Sequence, residues 1–118
     1  MKRDMDLIRA ILQKIESWDE PRNLEDLFEI DGHKENQIAY HVKILFNDRA
    51  IDANHSDEFG VPYRRFFNIE LTPRGYDALD AINDDTKWNK FKSFLIKTGK
   101  AFSIDVILTW AKGLFLES

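Results

Sequence analysis

Apolar positions recur along this chain at helical spacing, interrupted once by a stretch that alternates like a pair of strands. Ile8, Ile11, Leu12, Ile15 and Trp18 repeat every three or four residues, so a helix is predicted over Asp4–Ser17 with Asp4 as its cap. Asp19-Glu20-Pro21-Arg22-Asn23 breaks it. Leu24 to Ile30 reads as a short helix capped by Asn23 or as a short strand, and a turn follows at Gly32. A longer helix is expected from about Lys34 to Asp48, then a hairpin. Its first strand is Ile51-Asp52-Ala53-Asn54-His55. In its second, Tyr63 to Leu71, Phe67, Ile69 and Leu71 alternate with Phe66, Asn68 and Glu70.

Beyond the hairpin the pattern returns to helix. Thr72 is an N-cap and Pro73 takes the first helical position, where a missing N–H costs nothing. Tyr76, Leu79 and Ile82 continue that face. Asn83-Asp84-Asp85-Thr86 marks a kink or a new cap before Lys87–Lys97, where Trp88, Phe91 and Leu95 align and Gly99 ends the segment. A last helix, capped by Ser103, carries Ile104, Ile107, Leu108, Ala111, Leu114 and Phe115 on one face, with Trp110 and Leu116 widening it.

The order of a short segment, a Gly turn, a longer amphipathic helix and a strand over Leu24–Ile51 is that of a helix-turn-helix followed by a wing. The expected fold class is therefore α+β, mainly α: a winged helix-turn-helix with a small β-hairpin wing and a helical C-terminal extension. The winged-helix domain is placed at 1–83 and the extension, packed on it, at 84–118. With residues about 100° apart around the long helix, Ile38, Val42 and Leu45 face inward and Asn36, Tyr40, Lys43 and Asn47 face outward. Amides, a phenol and an ammonium can meet base edges and phosphates, although the same stripe also suits a merely solvated face. Gln37 lies beside it, and Arg64 and Arg65 stand at the returning edge of the wing, where backbone phosphates would be met. Asp57 and Glu58 near the wing tip would repel them.

Charge tempers this reading. Seventeen Lys and Arg against 21 Asp and Glu give a net charge of −4, whereas phosphate-driven binding calls for a basic contact face. A local patch would have to supply it. With no cysteine there is neither disulfide nor thiol chemistry, which fits the cytoplasm. No apolar run is long enough to span a membrane, and Lys100 and Lys112 are too few for a basic surface anchor, so no membrane partner is expected.

Tyr40-His41-Val42-Lys43 and Leu71-Thr72-Pro73-Arg74-Gly75 resemble stretches of ArsR- and MarR-type winged helices. A closer resemblance covers nearly the whole chain. The opening Met1-Lys2-Arg3-Asp4-Met5-Asp6-Leu7-Ile8-Arg9, together with Ile38–Lys43, Leu71-Thr72 with Gly75, and Asp84–Asn89, is similar to an uncharacterised bacterial and phage family known only as a domain of unknown function. That resemblance implies a winged-helix-like fold and supplies no activity or catalytic residue. Two positions depart from the winged-helix pattern. Arg49-Ala50 stands where a helix-ending Gly is usual, so the helix must end differently or carry strain. Ile44 falls between the polar stripe and the core, either covered by the C-terminal helices or touching a partner.

No catalytic constellation is expected, and no metal or cofactor. His33, His41 and His55 lack metal-ligand spacing, and Glu25/Asp26 and Asp84/Asp85 read as helix-start charges. His41 is expected at the flank of the long helix, hydrogen-bonding locally. The leading expectation is a non-enzymatic, DNA-binding or transcription-associated module of bacterial or phage origin, in which Asn36, Gln37, Tyr40 and Lys43 meet the major groove, Asn47 a phosphate, and Arg64 and Arg65 the adjacent backbone. Its rival is a protein-interaction module on the same scaffold, such as a phage factor that binds a host protein, prompted by the acidic total, the wing tip and Ile44. A homodimer through the C-terminal helices is a further expectation.

Overall fold

Asp4 starts the first helix by accepting hydrogen bonds from the N–H groups of Asp6 (3.0 Å) and Leu7 (3.1 Å), the cap its sequence position predicts. The computed structural model describes residues 2–57 and 59–117, with side chains as far as residue 113. Its elements are α1 (Met5–Glu16), a single 3-10 turn (Leu24–Leu27), α2 (Glu35–Asn47), β1 (Ile51–Ser56), β2 (Arg65–Leu71), α3 (Pro73–Ile82), α4 (Asp85–Thr98) and α5 (Ile104–Glu117). Expectations for Glu58 and for the side chains of Leu114, Phe115 and Leu116 lie outside the described residues.

The later caps follow the sequence as well. Thr72 Oγ1 accepts from Gly75 N–H (3.1 Å), Asp84 Oδ1 from Lys87 N–H (2.7 Å) and Ser103 Oγ from Val106 N–H (3.1 Å). Gly99 ends α4 in the left-handed region at φ 68°. Between Asn23 and Phe28 the choice falls to a helical turn. Asn23 N–H donates to Asp26 Oδ2 (3.0 Å), while Asn23 Oδ1 accepts from Asn68 N–H (3.3 Å) across in β2. Strand character survives only at Arg22, which bridges to Ile69.

Leu7, Ile8, Ile11 and Leu12 of α1 meet Ile38, Val42 and Leu45 of α2 in the core, with Phe66, Ile69, Leu79 and Phe91 from the elements that follow. The antiparallel pair β1–β2 runs from Ile51↔Leu71 to Ser56↔Arg65 and is irregular between Asp52 and Asn54. Asn68 lies there in the left-handed region at φ 54°, as an extra residue in β2. This shifts the alternation: Phe66, not Phe67, shares the buried face with Ile69 and Leu71. A strict period of two misplaces Phe67 for that reason.

The end of α2 answers the question that Arg49-Ala50 poses. Arg49 N–H bonds Phe46 O (3.1 Å) and Ala50 N–H bonds Leu45 O (3.0 Å), a Schellman turn with Arg49 left-handed at φ 63°. Three consecutive carbonyls hold it. Asp48 O accepts from Arg74 Nε (2.9 Å), Arg49 O from Thr72 Oγ1 (2.6 Å) and Ala50 O from Thr72 N–H (3.1 Å). The Thr72–Gly75 corner thus imposes a conformation that an L-residue adopts at a cost of about 1–2 kcal/mol. Arg49→Gly is expected to raise stability by about 0.5–1 kcal/mol, after glycine's greater unfolded-state freedom is subtracted. Urea denaturation checks this, and an unchanged or lower midpoint contradicts it.

The C-terminal helices are tied to α1 by polar contacts. Arg9 donates to Ile82 O (3.0 Å) and Asn83 O (2.6 Å) and pairs with Asp85 (3.1 Å), and Arg3 donates to Phe102 O (3.2 Å). Asp6 accepts from Lys92 Nζ (2.9 Å) and Trp88 Nε1 (3.1 Å). The Lys92 contact, against a smaller opposing effect of burial, holds the Asp6 carboxyl below the ordinary aspartate value. A depressed carboxyl stabilises the fold above its unfolded-state value and loses that contribution as pH falls through the folded value. The carboxylate is largely exposed, so the contribution is about 0.5 kcal/mol or less. Asp6→Asn is expected to lower the melting temperature slightly at neutral pH, and the difference should vanish in acid, once the pH has fallen below the lowered folded-state value of the wild-type carboxylate. A difference that persists undiminished in acid would show that the charge is not responsible.

Candidate nucleic-acid interface

The outward stripe of α2 and the chain entering β2 enclose a cleft of about 390 Å³ lined by Asn36, Ala39, Tyr40, Lys43, Asp57, Val61, Pro62, Tyr63 and Arg64. Its shape is set from behind. Phe46 of α2 packs against His55 (5.2 Å between centroids) and Phe66 (5.4 Å), which fixes the hairpin on the helix. Tyr63 packs edge-on against Phe28 (5.9 Å), which holds the returning limb of the wing beside the 3-10 turn.

The candidate residues separate into groups. Asn36, Tyr40, Lys43 and Arg64 are brought together in this cleft. Lys43 and Asn36 are exposed and Tyr40 is half-buried. Arg64 Nε donates to Asp57 Oδ1 (3.2 Å), so the cation is present but held by a carboxylate of the same loop. Gln37 lies half-buried on the flank, its Oε1 3.3 Å from His33 Nδ1. Asn47 sits at the far end of α2, beside Arg49 and Arg74 in another depression. Arg65 turns to the 3-10 turn, where it pairs with Glu25 and lies over the Phe67 ring (5.6 Å). Ile44 is half-buried and packs against the core.

His41 bonds locally, its Nδ1–H donating to Gln37 O (2.7 Å), and it also does something the sequence did not announce. It is fully buried, and its Nε2 accepts from Asp4 N–H (2.8 Å). One imidazole therefore fastens α2 to the start of α1 and fixes the depth of the outward stripe. Phe59 is a second unannounced feature: it is 108% exposed at the wing tip, an aromatic ring with nothing over it among the described residues. Its position in a loop with no periodicity hid it from pattern reading. The three histidines end in three places, with His55 in the aromatic cluster behind the wing. No helix among the described residues is long and apolar enough to cross a membrane.

Residues 2–101 match the family model described as "Hypothetical protein (DUF2513)". The chain belongs to the DUF2513 family. An uncharacterized protein of Haemophilus influenzae (strain Rd) is 37% identical to this DUF2513 chain over 112 residues, which span 91% of it and 89% of the relative. A solved PadR family transcription regulator from Clostridium difficile R20291 superposes with a TM-score of 0.52 at 17% identity, over 80% of this chain and 98% of that one. That likeness concerns the fold. It agrees with the element order above: the DUF2513 chain is an α+β, mainly helical winged helix with a two-stranded wing.

Proposed function

We propose that this DUF2513 chain is a non-enzymatic, cytoplasmic module that binds double-stranded DNA, with α2 in the major groove and the wing on the adjacent backbone. The observation that carries this reading is the single cleft formed by Asn36, Tyr40, Lys43 and Arg64, which lies between helix and wing as a duplex edge requires. The Asn36 amide and the Tyr40 phenol suit base edges and sugars, and the two cations suit phosphates. In the same reading Gln37 and Asn47 flank the contact, and Arg65 reaches phosphate only by leaving Glu25. The fold likeness to a PadR family transcription regulator supports the reading.

Titration with a fluorescent mixed-sequence duplex at several salt concentrations tests it. Two phosphate contacts are expected to give a log–log salt slope of about −2, since each releases about 0.9 counterion. No binding even at low salt would sink the reading. Binding with a slope near zero would remove the phosphate contacts from it.

A further inference from the structure

The α4 face turned away from the core has a charge unlike that of the rest of the chain. Residues 86–100 hold Lys87, Lys90, Lys92, Lys97 and Lys100 and no Asp or Glu, within a protein of net charge −4. Lys92 is committed to Asp6, and Lys87 donates to Asp80 O (3.3 Å). Lys90 and Lys97 are exposed and have no ion-pair partner among the described residues. They rise on one side of the helix two turns apart, about 10.5 Å along its axis. Both line a groove of about 610 Å³ between α4 and α5, whose apolar side is Phe94 and Trp110. Ser93 adds a hydroxyl between the lysines, and Thr86 adds another one turn before Lys90. Ile96, 84% exposed, flanks the stripe on its other side.

We propose that this groove docks an acidic amphipathic helix from a partner protein. Charge complementarity argues for the occupant: the rim offers two ammonium groups and hydroxyl donors with no competing carboxylate among the described residues that line it, so it suits a segment with acidic side chains two turns apart. The apolar side and Ile96 suit the aliphatic residues of the same segment, in the helix-in-groove manner. Nucleic acid fits less well. Trp110 is 8% exposed, too covered to stack on a base, and an apolar floor offers nothing to a phosphate chain. The groove also belongs to elements other than α2 and the wing. It is a second surface, independent of the DNA reading, by which a DNA-bound module would hold another protein.

The probe is a synthetic 14-residue helical peptide with Glu at positions seven apart and Leu along the neighbouring stripe. It is titrated into the 15N-labelled full chain. Amide shifts confined to residues 86–98 and the facing part of α5 are expected, with Lys90→Glu plus Lys97→Glu weakening binding at least tenfold. A probe with Gln in place of Glu should bind at least tenfold more weakly, and Lys43→Glu plus Arg64→Glu should leave peptide binding intact. The proposal is overturned if no shifts appear at millimolar peptide, if they fall elsewhere, or if the Gln probe binds equally. It is overturned too if duplex DNA, but not the peptide, moves the α4 amides, which would make the face a nucleic-acid surface.

Discussion

Gly75→Ala is expected to destabilise the protein by about 3 kcal/mol or more, the range of a severe overpacking substitution. An added Cβ would stand 2.0 Å from Ala50 O and 3.0 Å from Ala50 C. Because the obstacle is main chain, no side-chain rearrangement at position 50 relieves it. The backbone that would have to move is the carbonyl accepting from Thr72 N–H, one of the three contacts that hold Arg49 in its left-handed turn. Retreat of α3 would therefore loosen the end of α2 and so the helix proposed to read DNA. A fall in melting temperature of about 10–20 °C is expected for a domain of this size. Gly113→Ala is the control, since a Cβ there meets nothing within 4 Å and the residue is helical. It should stabilise by about 0.5–1 kcal/mol. A Gly75→Ala protein that melts within a degree or two of the wild type would show that the close approach of α3 to Ala50 is not a feature of the folded chain.

This corner also marks how far the sequence could be read. Leu71-Thr72-Pro73-Arg74-Gly75 predicts a helix start from Thr72 and Pro73 alone, because capping is local chemistry. That Thr72, Arg74 and Gly75 also clamp the end of α2 depends on contacts more than 20 residues apart in the chain. The same division runs through the candidate site. The 100° rule placed Ile38, Val42 and Leu45 inside and Asn36, Tyr40 and Lys43 outside, since a helix face follows from spacing. It could not foresee that Arg64 and Arg65, adjacent in sequence, part company. One faces the cleft and Asp57, and the other faces Glu25 of the 3-10 turn. Neither could spacing reveal the bulge at Asn68, which moves Phe66 into the core, or the burial of His41 against Asp4 N–H. Bulges and tethers answer to tertiary partners, and a polar residue on a helix flank looks the same in sequence whether it is solvated or locked.

Reversing both cations of the cleft, Lys43→Glu with Arg64→Glu, is expected to weaken duplex binding at least 100-fold at low salt, about 2.7 kcal/mol. Each reversal removes one phosphate contact and adds a repelling charge, so the salt slope should fall by about 2 units toward zero. Arg64 makes the prediction sharper, because its present partner is an acid. Asp57→Asn removes that competitor, frees the guanidinium for phosphate, and should tighten binding about two- to fivefold, the scale of an exposed ion pair of roughly 0.5–1 kcal/mol. The same arithmetic of net charge must be kept apart from position in an acidic protein. Lys100→Glu with Lys112→Glu changes the total charge equally, but Lys100 lies in the segment after α4 and Lys112 on α5, and neither lines the cleft. If that pair costs as much affinity as the cleft pair, binding responds to the overall field, and the α2–wing cleft is not where DNA sits. If the cleft pair alone abolishes it while circular dichroism and melting stay unchanged, the local patch outweighs the net charge of −4. Two cations held by one helix and one wing would then suffice to place an acidic protein on a polyanion.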